Sequence, residues 1–182
     1  MKKLLLLFIL ISFSCESDTK KKSTSSSAPV QKEEKTLKYY PTPENGFSPY
    51  DQYFGKGIYN NSTNNEFVVK NSNNTHAVVL LVNAFSGEKI RNEFIRKGST
   101  FSMTGVPNGT YYFEWFSGDD WSPEYKIGNY VGGFQTKASF TKTSDSKDWM
   151  KVDGYMQWTI TLYSVVGGDV ESQSINPEDF FN

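Results

Sequence analysis

Apolar residues in this chain recur at every second position and almost nowhere at the three-to-four spacing of a helix, which restricts the fold to sheets. From Gln157 to Val165, Trp158, Ile160 and Leu162 share one face, while Thr159, Thr161 and Tyr163 line the other. Phe101 and Met103 alternate with Thr100, Ser102 and Thr104. Phe134, Thr136, Ala138 and Phe140 alternate with Gln135, Lys137, Ser139 and Thr141. Strands are also expected at Glu66 to Asn71, Lys89 to Ile95 and Thr110 to Ser117. One run breaks the alternation. Ala77-Val78-Val79-Leu80-Leu81-Val82 is apolar throughout, as a central strand covered on both faces must be.

Turn-forming residues separate these runs at Asn71 to Asn74, Ser86-Gly87, Pro107-Asn108-Gly109, Ser117 to Asp120 and Asp153-Gly154. Pro107-Asn108-Gly109 between two alternating strands predicts a hairpin. About seven strands with a turn every ten residues or so predict an all-β, antiparallel β-sandwich over residues 37–182. The stretch Phe101 to Tyr112 is similar to the strand-turn-strand segment of carboxypeptidase regulatory-like, prealbumin-type domains. That resemblance implies an Ig-like or prealbumin-like sandwich and no particular chemistry.

The first 36 residues have a different character. Lys2 and Lys3 precede the apolar stretch Leu4 to Ile11, then Ser12-Phe13-Ser14 and Cys15, the chain's one cysteine. The greasy stretch is too short for a membrane-crossing helix, which needs ~20 residues, and has the form of a secretory signal. Residues 1–14 with Cys15 resemble a bacterial lipoprotein signal. That resemblance implies cleavage before Cys15, a lipidated cysteine and a place in the cell envelope, on either face of the outer membrane. A bacterial lipoprotein cysteine carries more than one acyl chain, and stable anchoring needs more than one. Glu16-Ser17-Asp18-Thr19 resembles the acidic export tag of Bacteroidetes-type surface lipoproteins, and reads equally as the start of a polar linker. The linker continues to Thr36 with one valine and no aromatic residue, too little apolar surface to fold. As a coil of about twenty residues it spans ~25 Å.

The sandwich region carries twelve basic and sixteen acidic residues, a net charge near −4, with no Lys/Arg-rich run. Nucleic acid is therefore not an expected partner. With no cysteine beyond Cys15, stability must come from packing rather than disulfides.

Catalytic signals are sparse. His76, the only histidine, precedes the Ala77 strand in a polar stretch, with no nucleophile motif near it. One histidine and no domain cysteine leave no ordinary zinc ligand set, and no cofactor or metal is expected. Asp119-Asp120-Trp121, with Glu114 and Glu124 nearby, clusters acids and an indole around one expected loop. Paired carboxylates can cut glycosides or hold calcium, but the spacing matches neither chemistry's usual pattern. Trp115 and Trp158 fall on regular strands and are expected in the core. Trp121 and Trp149 fall in polar stretches, where they either cap the ends of the sandwich or stack on a sugar or a protein partner. Residues 37–58 hold Pro41, Pro43 and Pro49 among many aromatics, which predicts an extended arm without helix that lies across the sandwich. The functional expectation is a tethered, non-enzymatic sandwich that binds an envelope protein or complex. A glycan-binding module using Trp121, Trp149, Asp119 and Asp120 comes second, and a glycoside hydrolase third.

Overall fold

The run Ala77 to Val82 is buried at every position because it lies at the centre of three layers. The structure, a computed structural model, describes residues 36–163, 168 and 170–182. The leader, Cys15, the linker up to residue 35 and the end of the Gln157–Val165 run lie outside the described residues.

The strands are β1 (Glu66–Lys70), β2 (His76–Asn83), β3 (Lys89–Ile95), β4 (Thr100–Thr104), β5 (Gly109–Ile127), β6 (Tyr130–Thr143), β7 (Met150–Val152), β8 (Gln157–Thr161) and β9 (Ser172–Ser174). Two one-turn helices, α1 (Asp51–Phe54) and α2 (Pro177–Phe181), complete the elements that matter here. One sheet has the order β3-β2-β5-β6-β9, with β7 paired to the opening residues of β5. The other has the order β4-β1-β8. The fold is an all-β sandwich, antiparallel apart from the β1–β8 pair, which is parallel.

Ala77, Val79 and Leu81 point between the sheets, where they meet Phe67 and Val69 of β1, Met103 of β4, Phe113 and Trp115 of β5 and Ile160 of β8. Val78, Leu80 and Val82 point the other way into a second, aromatic core with Phe94, Phe116, Trp121 and Phe134. Each buried Val, Leu or Phe contributes roughly 1.5–3 kcal/mol by leaving water, so both faces of β2 hold the fold together.

The second core is closed by the two ends of the described chain. On the arm, Tyr50 is fully buried; its N–H donates to Asn92 Oδ1 (2.7 Å) and its hydroxyl to the Gly132 carbonyl (3.0 Å). Gly46 and Phe47 pair with Phe94 at the free edge of β3. The arm does contain a helical turn, contrary to the proline argument. All three prolines precede Asp51, so α1 begins where their restriction ends. From the other end, α2 starts on Pro177, is capped by Asn176 Oδ1 accepting from Asp179 N (2.8 Å), and inserts Phe180 and Phe181.

Two expected turns are corrected. Ser117 to Asp120 is no turn, because β5 runs straight through it for 19 residues and reverses only at Gly128-Asn129. Gly118 is needed there for close approach, since a Cβ would collide with Phe134. Pro107-Asn108-Gly109 does not form a hairpin either. The strands on its two sides belong to different sheets, so it arches across the sandwich.

Candidate functional site

The four residues singled out from sequence separate into two places along β5. Asp119, Asp120 and Trp121 lie at a bulge where β5 slips by one residue against β6, between Ser117 and Asp119. A bulge re-aims side chains, and this one puts two non-glycine residues in the left-handed region: Asp120 (φ 55°) on β5 and Lys137 (φ 51°) on β6. Each such residue costs roughly 1–2 kcal/mol, which the packed sheet must offset.

The bulge forms the floor of a groove of about 790 Å3, walled on one side by arm residues 37–42. Asp119 is held between two ammonium groups, with Oδ1 3.4 Å from Lys97 Nζ and Oδ2 2.8 Å from Lys137 Nζ. Burial pushes the Asp119 carboxyl up, but hydrogen bonds and charge from both lysines outweigh it and hold the group below its ordinary value. Asp120 Oδ2 accepts from Thr136 Oγ1 at 2.7 Å. His76 Nδ1 accepts from the Lys97 N–H at 3.2 Å. Burial, reinforced by the charge of Lys97, lowers the His76 pKa. The ring is therefore neutral at pH 7, and with Nδ1 accepting, its proton is assigned to Nε2.

The arm is fastened over the groove by polar contacts. Gln135 Nε2 donates to the carbonyls of Lys38 (2.8 Å) and Asp120 (3.1 Å). Arg96 donates to the Pro43 carbonyl (2.8 Å), the Thr42 carbonyl (3.0 Å) and Glu44 (2.8 Å). Lys38 pairs with Glu124 at 2.8 Å.

Trp121 is not an exposed platform. Its residue is 6% exposed, packed edge-to-face against Phe94 (5.5 Å) and Phe134 (5.1 Å), and only its margin reaches the groove. Trp158, expected in the core, is 37% exposed. It lies on edge strand β8, with Nε1 donating to the Lys151 carbonyl across the open side of the sandwich (3.2 Å). Trp115 is buried as expected.

Trp149 belongs to the other end of β5. Its ring stacks on Tyr112 (6.3 Å, 22°) and meets Phe85 edge-on (6.0 Å, 85°). Tyr112 and Trp121 are nine residues apart on one strand, roughly 30 Å at ~3.3 Å per residue, so Trp149 and the bulge cannot share a small ligand. Phe85 caps the β2–β3 hairpin at 81% exposure. Asn83 Oδ1 accepts from the N–H groups of Phe85 (3.0 Å) and Ser86 (3.1 Å), and Gly87 takes the left-handed position, which locks the turn. An aromatic in the Asn83 to Gly87 turn is the sequence signal that would have found this cluster.

The carboxylates do not converge. Glu114 is buried 3.8 Å from Lys89, Glu124 is paired with Lys38, and both Asp119 oxygens are engaged by lysines. Among the described residues no three His, Cys, Asp or Glu come together to hold a metal. Among them, too, no helix is long and apolar enough to cross a membrane. Comparison with protein-family models, with curated proteins and with solved structures found no match to this chain.

Proposed function

We propose that this chain is an exported, lipid-anchored binding module without catalytic activity, which meets a protein partner in the cell envelope through Phe85, Trp149 and Tyr112. The observation that carries the reading is Phe85: a large apolar ring, 81% exposed, on a turn fixed by side-chain hydrogen bonds. Its edge-on contact with Trp149 leaves most of the ring in water, and a pre-ordered aromatic loses little entropy when it enters a partner's pocket. Such anchors dominate protein interfaces.

Its position adds support. The described chain begins beside Glu124 and Gln135, whereas Phe85 sits beyond Thr110, near the opposite end of β5. The aromatic cluster therefore projects from the end remote from the expected tether. The leader's resemblance to a lipoprotein signal supports the anchor.

Cross-linking on intact cells, with the full chain, tests the contact. A specific envelope protein should be captured, and Phe85→Ala should weaken its binding by roughly 30-fold, the equivalent of ~2 kcal/mol at one interface anchor. The melting temperature should not change. Undiminished capture by the Phe85→Ala chain, or no specific capture by the natural one, would count against this reading.

A further inference from the structure

We infer that the groove at the β5–β6 bulge is a second binding site, independent of the aromatic cluster, and that its ligand is an anionic saccharide carrying carboxylate or sulfate groups.

Charge is the first argument. On a domain with a net charge near −4, the groove and its rim hold Lys38, Arg96, Lys97 and Lys137 against Asp119, Asp120 and the paired Glu124 and Glu44, so this region is neutral where the rest of the domain is negative. Hydrogen-bonding capacity is the second. Both oxygens of Asp119 are already engaged, and one of Asp120. The donors are not used up. Lys97 and Lys137 each spend one contact on Asp119 and keep further N–H groups, and their side chains are 47% and 67% exposed. The Nε2–H of neutral His76 adds a third donor on the same wall. Spare donors around saturated acceptors select a ligand rich in acceptors and negative charge.

Tyr39 narrows the class to a saccharide. Its residue is 87% exposed on the arm that walls the groove, so its ring is open to a ligand at the groove's edge. A ring face next to hydrogen-bond donors suits a sugar, whose C–H face stacks while its acidic substituents are bound. An acidic peptide would instead seek a free backbone edge or an apolar pocket. The N–H and carbonyl of Lys38 are both taken by Gln135, and Trp121 offers only its margin. The two left-handed residues, Asp120 and Lys137, lie on the paired strands of the groove's floor, and strained backbone of that kind gathers at ligand sites.

The full chain in detergent is run through native gels containing polygalacturonate, chondroitin sulfate, neutral dextran or poly-glutamate. Retardation is expected with one or both acidic polysaccharides, and not with dextran. The Lys97→Gln/Lys137→Gln pair should weaken it at least tenfold and Tyr39→Ala about fivefold. Phe85→Ala should leave it unchanged, which separates this site from the protein contact. Tyr39 is too exposed for its loss to unfold the domain, so that variant remains decisive if the lysine pair proves unstable. No retardation by either acidic polysaccharide would overturn the inference. So would equal retardation by dextran, or equal binding of poly-glutamate with no effect of Tyr39→Ala.

Discussion

Glu114 and Lys89 sit 3.8 Å apart with their side chains almost wholly out of solvent, and Glu114 Oε2 accepts no hydrogen bond. Burial raises the Glu114 pKa from 4.5, and the nearby Lys89 charge only partly opposes it. Glu93, buried beside Arg91, is raised for the same primary reason. A carboxyl raised in the fold is bound to its proton more tightly there than in the unfolded chain. Its contribution to stability is present in full below about 4.5 and is lost as pH rises through the folded value. Asp119 and Glu66 are lowered and act in the opposite sense, losing stability as pH falls below their ordinary values. Acidification therefore favours the fold through Glu114 and Glu93, and opposes it through His76, whose lowered pKa costs stability below 6.5, and through Asp119 and Glu66. In thermal melts the melting temperature of Glu114→Gln relative to the natural chain should rise with pH, because only the natural chain must bury a charge there. A difference independent of pH would refute the assignment.

At the scale of elements, the arm is part of the core rather than an appendage. Tyr50 lies against Phe180 and Phe181 of α2 and against Trp121, and Asn92 holds both Tyr50 N and Asp51. Tyr50→Ala should cost ~3–5 kcal/mol in urea unfolding, the usual cost of truncating a buried aromatic. A loss below ~1 kcal/mol would mean that the arm packs only superficially. The central position of β2 was legible because no solvated strand is apolar at six successive positions. Ser117 to Asp120 misled because turn composition and bulge composition are the same: glycine for close approach and aspartate for positive φ. The core place expected of Trp158 is not found, since alternation shows which face a residue is on but not whether its strand is an edge. The groove was half legible. Asp119 and Asp120 drew notice as neighbours in sequence, whereas Lys97, Lys137 and His76 reach them only through sheet pairing.

At the scale of the molecule, the two candidate contacts lie at opposite ends of one sandwich, and the expected anchor joins at the groove end. Cys15→Ser should move the protein from the membrane fraction to the soluble fraction of fractionated cells. Continued membrane association of that variant would refute the anchor.

The length of β5 bears on how such a molecule carries load. A pull applied at Thr36 and resisted at Phe85 runs nearly parallel to the strands, because both points lie near the ends of the same 19-residue strand. The ladders joining β5 to β2 and β6 are then strained side by side rather than opened one rung at a time. Gln135, Arg96 and Asn92 fasten the arm at successive points along the path by which the force enters. Tension between a cell and whatever it holds would thus fall on many hydrogen bonds at once, a mechanical strength set by strand direction rather than by thermodynamic stability.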